Sequence, residues 1–116
     1  MPVVAFHFRV WESVNGSPSG LRGACKANLL RLATAQPGAP TGLRLEKVHP
    51  EITELKISWN RQDFRLLFYR EGGMVFVVNF FQKKTKKCPP SKIALAVKRM
   101  KEIQFDRSKS VSPSLH

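Results

Sequence analysis

Ile52-Thr53-Glu54-Leu55-Lys56-Ile57-Ser58-Trp59, Asp63-Phe64-Arg65-Leu66-Leu67-Phe68-Tyr69-Arg70 and Met74-Val75-Phe76-Val77-Val78-Asn79-Phe80-Phe81-Gln82 follow one another in the chain. The first two runs alternate between two sets of residues, the period of a strand. The third is apolar nearly throughout, as a strand in the middle of a sheet should be. Asn60-Arg61-Gln62 and Glu71-Gly72-Gly73 read as turns, the second a strong hairpin signal. A loop over Asn60 to Asp63 would set Trp59 opposite Phe64, Ile57 opposite Leu66 and Leu55 opposite Phe68. A loop over Glu71 to Gly73 would set Phe68 opposite Phe76, Leu66 opposite Val78 and Phe64 opposite Phe80. Both registers gather aromatic and aliphatic side chains on one face, and a one-residue slip would mix the faces.

Working outward, Val3 to Trp11 reads as a further strand, with Val4, Phe6, Phe8 and Val10 on one side. Ser13 to Ser19 is a loop. Ser19 caps a helix running to about Ala35, with Leu21, Cys25, Leu29 and Leu32 on one stripe. Pro37 stops it, and residues 37–42 form a connector. Pro89-Pro90 breaks the chain after the meander. Ser91 then caps a last helix to about Gln104, with Ile93, Val97, Met100 and Ile103 on one stripe. Residues 107–116 are polar and Ser-rich and read as a disordered tail. The expectation is an α+β fold, a small antiparallel sheet packed with helices in the order β-α-β-β-β-α. Residues 1–106 would form a single domain, since 116 residues suffice for one core.

Charge narrows the function. Twenty Lys and Arg against eight Asp and Glu give +12, which implies a polyanionic partner. Lys83, Lys84, Lys86, Lys87, Lys92, Lys98, Arg99 and Lys101 fall in one stretch that contains no Asp or Glu, so the positive charge is localised. No apolar run approaches the roughly 18–20 residues that span a bilayer, and the N-terminus has no signal-peptide pattern. Cys25 and Cys88 fit no disulfide or metal framework and read as reduced thiols, so a cytoplasmic protein without membrane contact is expected. His7, His49 and His116 have no metal-ligand spacing, and no metal or cofactor is expected. A nucleophile elbow, a phosphate-binding Gly-rich loop and a paired-carboxylate set are all absent.

The registers place Glu54, Lys56 and Ser58, Arg65, Leu67 and Tyr69, and Val77, Asn79 and Phe81 on the face opposite the apolar one, with Lys83 one pleat further on. Arg65, Lys56 and Lys83 would thus converge over the middle of a hydrophilic sheet face. The plainer alternative is that these long side chains run out to solvent. Converging cations suit an anion, and a single-stranded RNA phosphodiester fits. If the substrate's 2′-hydroxyl attacks phosphorus, the protein must accept that proton, stabilise the phosphorane charge and protonate the 5′-oxygen. Arg65 suits the phosphorane. A lysine crowded by other cations has its pKa pushed down and can act as a base. Phe81 or Tyr69 could stack a base. Asp63 and Glu54 are expected to orient Arg65 or Lys56 by ion pairing.

The stretch Glu54-Leu55-Lys56-Ile57, then Phe64-Arg65-Leu66-Leu67-Phe68-Tyr69, then Val77 through Phe81-Gln82-Lys83-Lys84-Thr85-Lys86-Lys87-Cys88-Pro89, then Ile93 to Arg99, resembles the phage-derived HigB-like toxins of the RelE/ParE superfamily. Those toxins often show E-L-R-I, then Y-R-V-L-Y, then F-x-K-K-T-x-K-x-P. The resemblance covers Glu51 to Glu102. It implies a RelE-like fold and ribosome-dependent cleavage of messenger RNA by an endoribonuclease. The implied partner is a helix-turn-helix antitoxin. It implies that Arg65 steadies the phosphate and that basic residues on neighbouring strands act as base and acid; Lys56 and the Lys83/Lys84 pair are the candidates, in either role, with Lys83 favoured by its place in the pleat. Lys84, Lys86, Lys87, Phe81, Tyr69 and Asn79 are the candidate contacts to RNA or ribosome. Lys56 stands where the family commonly has Arg, Asn79 where it often has His, and Cys88 where Thr is usual. One helix is expected before residue 50 where many relatives have two. Two other readings stay open: a non-enzymatic, gyrase-poisoning toxin of the same superfamily, and a plain nucleic-acid-binding protein.

Overall fold

A computed structural model describes residues 3–35 and 42–115. The expected connector lies, apart from Gly42, outside the described residues, as does His116. The chain runs β1 (Val4–His7), α1 (Phe8–Asn15), α2 (Ser19–Thr34), β2 (Arg44–His49), β3 (Ile52–Trp59), β4 (Gln62–Glu71), β5 (Met74–Gln82), α3 (Pro90–Phe105), a short 3-10 helix (Arg107–Lys109) and β6 (Ser110–Val111). The strands form one six-stranded sheet in the order β2-β3-β4-β5-β1-β6. All pairs are antiparallel except β1 with β5, which run parallel. The α+β architecture expected from the sequence is therefore present, with more elements than its patterning revealed.

The meander forms through tighter turns than expected. Trp59 pairs with Gln62 across a two-residue turn in which Asn60 and Arg61 both have positive φ, 53° and 60°. That geometry matches strand twist and is tolerated by asparagine. The register moves by two residues from the expected one, so Leu55 faces Leu66 and Ile57 faces Phe64. An even shift leaves each side chain on its expected face. The second turn is also two residues, Gly72 and Gly73, at φ 58° and 78°. Here the shift is odd, and it corrects the expected partition. Phe76 and Val78 point towards α3, and Val77 joins the opposite core. A bulge between Leu67 and Phe68 then restores the parity, so Leu66 faces Phe80 and Arg65 faces Phe81.

Both faces of the sheet are covered. Against one face lie α1 and α2, whose Val10, Val14, Leu21, Cys25, Leu29 and Leu32 meet Val4, Phe6, Leu55, Leu66 and Phe68. Each such fully buried aliphatic or aromatic side chain contributes about 1.5–3 kcal/mol through area removed from water. Gly20 lets α2 approach closely: a Cβ there would sit 2.7 Å from the Trp59 indole nitrogen. Against the other face lies α3, whose Ala96, Met100 and Ile103 meet Ile52, Leu67, Tyr69, Phe76, Val78 and Phe81. The face expected to be open and hydrophilic is thus largely a second apolar core.

Four local expectations are corrected. The first strand ends at His7, and the chain turns into α1 because Val10 and Val14 fall one helical turn apart and both bury. His7 caps that helix, its Nδ1 accepting the Arg9 N–H at 3.2 Å. Among the described residues two helices thus precede residue 50, not one. Ser19 and Ser91 are not caps: Pro18 and Pro89 hold those positions, and no side chain caps either helix. Residues 44–49, not recognised as a strand, form the charged, mostly exposed edge β2. Finally, residues 107–115 are not a loose tail. β6 pairs with β1 through Phe6–Val111 and His7–Ser110, and Val111 and Leu115 pack against the α1/α2 core.

Candidate functional site

The register puts Lys56 beside Arg65 on neighbouring strands and Glu46 beside Glu54 across the β2–β3 pair. The Lys83 N–H donates to the Asp63 carbonyl at 2.8 Å, carrying the ladder one step past β5. These side chains share the α3 side of the sheet.

Glu54 is the centre of the group. It is fully buried, and among the described residues neither carboxylate oxygen accepts a hydrogen bond from a nitrogen or oxygen donor. Its Oε1 lies 3.4 Å from Arg65 Nε and 3.9 Å from Lys83 Nζ. A buried carboxylate is costly unless paired, so Glu54 and these two cations hold one another in place. Arg65 is only 6% exposed, and its Nη1 donates to the Phe64 carbonyl at 3.0 Å. The side chain of Lys83 is 8% exposed. Lys56 is more open, and its Nζ donates to Glu46 Oε1 at 2.9 Å. That hydrogen bond and the lysine charge hold the Glu46 carboxyl below the usual range, with smaller contributions from Lys83 and Arg65. The Cys88 thiol nearby is pushed up to about 11, first by burial, then by the charge of Glu54 and by a hydrogen bond to that carboxylate, so it rests as a thiol.

The wall of this cluster opens into a cleft of about 330 Å³ lined by Asp63, Arg65, Lys83, Lys84, Thr85 and Lys86. Lys84 and Lys86 are exposed at its rim, and Lys87, next in the chain, is exposed as well. A cleft with an arginine in its wall and lysines at its rim can hold an anion and grip a charged backbone extending from it.

The structure brings together Arg65 and Lys83, with Lys56 joined through Glu46, and it separates the rest. Tyr69 and Phe81 are buried, and neither offers a face to a base. The Tyr69 ring stacks on Phe76 at 5.0 Å, while the Lys92 ammonium sits 5.5 Å from the Phe81 ring. Asn79 is also buried. Its amide nitrogen donates to the Lys92 carbonyl at 3.0 Å, and its oxygen accepts the Phe80 N–H at 2.9 Å, so it ties the bulged strand to the first turn of α3. Glu54 orients Arg65 as expected but reaches Lys83 instead of Lys56. Asp63 accepts from Ser58 at 3.3 Å. Glu46 was missed because its strand is exposed and lacks a clear apolar alternation. Among the described residues no group of three His, Cys, Asp or Glu could hold a metal ion, and no helix is long and apolar enough to cross a membrane.

A family model, that of the phage-derived Gp49-like proteins (DUF891), matches residues 15–101. The chain belongs to this family. The Gp49-like family is linked to the toxins of toxin–antitoxin systems. In this Gp49-like chain the matched region runs from the end of α1 through most of α3 and includes the whole Glu54 cluster. No curated protein matches the sequence.

Proposed function

We propose that this Gp49-like protein is a HigB-like toxin, an endoribonuclease that cuts messenger RNA on the ribosome and is neutralised by a helix-turn-helix antitoxin. The observation that carries the reading is the meeting of Arg65 and Lys83, from separate strands, in the wall of a lysine-rimmed cleft. The substrate's 2′-hydroxyl oxygen attacks phosphorus while the bond from phosphorus to the 5′-oxygen breaks, leaving a cyclic phosphate and a free 5′-hydroxyl. Arg65, steadied by Glu54, stabilises the phosphorane oxygens. Lys56 and Lys83 carry protons to and from the two sugar oxygens. Lys84, Lys86 and Lys87 hold flanking phosphates of message or ribosomal RNA.

Ribosomes programmed with end-labelled message, incubated with purified protein, test the reading. The expected result is cleavage that Arg65→Ala removes, by about 100-fold or more, as for loss of a group that stabilises transition-state charge. The same substitution should abolish growth arrest on expression. Lys86→Gln with Lys87→Gln should weaken binding more than turnover. A second reading, a toxin or nucleic-acid-binding protein that cuts nothing, draws on the ion pairs of Arg65 with Glu54 and Lys56 with Glu46, which already engage the cations. Intact message with inhibited DNA supercoiling would establish a gyrase poison. Salt-dependent binding without cleavage would establish a plain binding protein.

A further inference from the structure

A second basic recess, of about 370 Å³, lies where β1 passes into α1, and His7, Arg9, Lys98, Arg99, Glu102 and Lys109 line it. Three separate parts of the chain build it: the β1–α1 junction, α3 and the short 3-10 helix. The pairing of His7 with Ser110 fixes Lys109 there. Four permanent cations face one carboxylate, and that carboxylate is already engaged, Glu102 Oε1 lying 2.9 Å from His7 Nε2. Arg9 has one further acidic neighbour, Glu12 at 3.8 Å, in a pair that is largely exposed and contributes little.

The cations are held there by packing. The Arg9 guanidinium lies 4.9 Å and the Lys109 ammonium 5.9 Å from the centre of the same Phe8 ring. Arg99 is half-buried, and its Nη1 reaches the Val78 carbonyl at 3.3 Å and Asn79 Oδ1 at 3.4 Å, both at the bulge of β5. Burial lowers the pKa of Arg99; Glu102 opposes this and the Arg9 charge adds to it. Like charges gathered this way repel one another unless an anion lies among them.

We propose that this recess is a phosphate subsite that holds a backbone phosphate of single-stranded RNA. The inference rests on the ribonuclease reading for the identity of the strand, and on the recess itself for the chemistry of the ligand. An RNA phosphate fits better than an acidic protein segment because the lining is mostly charged. A protein segment would find more carbon to bury in the neighbouring groove along Ala94, Val97 and the exposed Phe105.

The test is binding of a fluorescent single-stranded 2′-O-methyl RNA, which cannot supply the attacking hydroxyl, across a salt series. Lys98→Gln with Lys109→Gln alters two exposed side chains and leaves the fold intact, while Arg99→Gln probes the half-buried one. Thermal melts check that each variant is folded. Each variant should bind about tenfold more weakly at low salt. The slope of log affinity against log salt should fall by about 0.7 for each phosphate that the variant no longer neutralises. Affinity and slope equal to wild type in the folded Lys98→Gln/Lys109→Gln protein would overturn the proposal. So would unchanged RNA binding with loss of binding to the antitoxin protein. If the wild-type protein cuts no RNA yet the variants lose affinity and slope, the subsite stands on bound RNA and the ribonuclease reading alone falls.

Discussion

Leu55 and Glu54 are adjacent on β3, both fully buried, and they enter two different interiors. Leu55 joins an apolar core closed by α1 and α2. Glu54 points to the α3 side, where an apolar core gives way to paired charges and then to a basic cleft. The first interior is held by area removed from water, which is indifferent to partner identity. The second depends at its open end on specific oppositely charged neighbours, each stabilising only while the others are present. The sheet thus carries its fold on one side and, on the proposed reading, its chemistry at the margin of the other.

That contrast can be broken by substitution. Glu54→Ala would leave Arg65 and Lys83 buried without a counter-charge and should cost about 3–5 kcal/mol. Leu55→Ala should cost a similar amount, about 2–5 kcal/mol, through the transfer energy forgone and the cavity left behind. The two losses differ in how they are repaired. Glu54→Leu combined with Arg65→Met and Lys83→Met should recover most of the stability in urea denaturation, because neutral packed side chains replace the whole buried charge group, while any RNA cleavage stays abolished. No change of a partner should similarly rescue Leu55→Ala. If the triple variant is as unstable as Glu54→Ala, the ionic account of this side is wrong.

Asn79→Ala tests how the α3 side is tied to the sheet. It removes the hydrogen bonds to the Lys92 carbonyl and the Phe80 N–H at the bulge, and should cost about 1–3 kcal/mol by the same measurement. A neutral result would mean that the bulge needs no such tie.

A smaller effect should follow pH. Burial lowers the pKa of His7 from the ordinary 6.5, outweighing the Glu102 hydrogen bond that raises it, with Arg99 adding to the lowering. The unfolded chain therefore takes up a proton at higher pH than the folded one. Stability should decline as pH falls below 6.5 towards the folded value and be flat above it. His7→Gln should flatten that part of the profile in thermal melts recorded between about pH 5 and 7.5, the window in which a histidine titrates. An unchanged acid slope in the variant would assign the loss to other groups.

The two sides were not equally legible in the sequence. The alternation in β3 and β4 identified the meander and put Arg65 and Lys56 on a common side, because face membership depends only on parity and the shift at Asn60-Arg61 was even. At Gly72-Gly73 the shift was odd, and only the bulge in β5 brought Asn79, Phe81 and Lys83 back to the Arg65 side. A bulge leaves no signature in a run as uniformly apolar as Met74 to Phe81. The burial of Tyr69 and Phe81 was hidden for a related reason: an aromatic residue patterns alike under a helix and on an open face. β2 and β6 are edge strands stabilised by their neighbours, so their own composition says little about them.

Composition and periodicity alone determined the α+β class, the central meander, the apolar stripe of α2 and a localised excess of positive charge, since each depends on local order along the chain. Tertiary structure decided which cations have carboxylate partners, which aromatics are covered, and that Lys109 and His7 share a recess. Those outcomes depend on how helices cross the sheet and how edge strands add to it, and such long-range packing is encoded in no single segment.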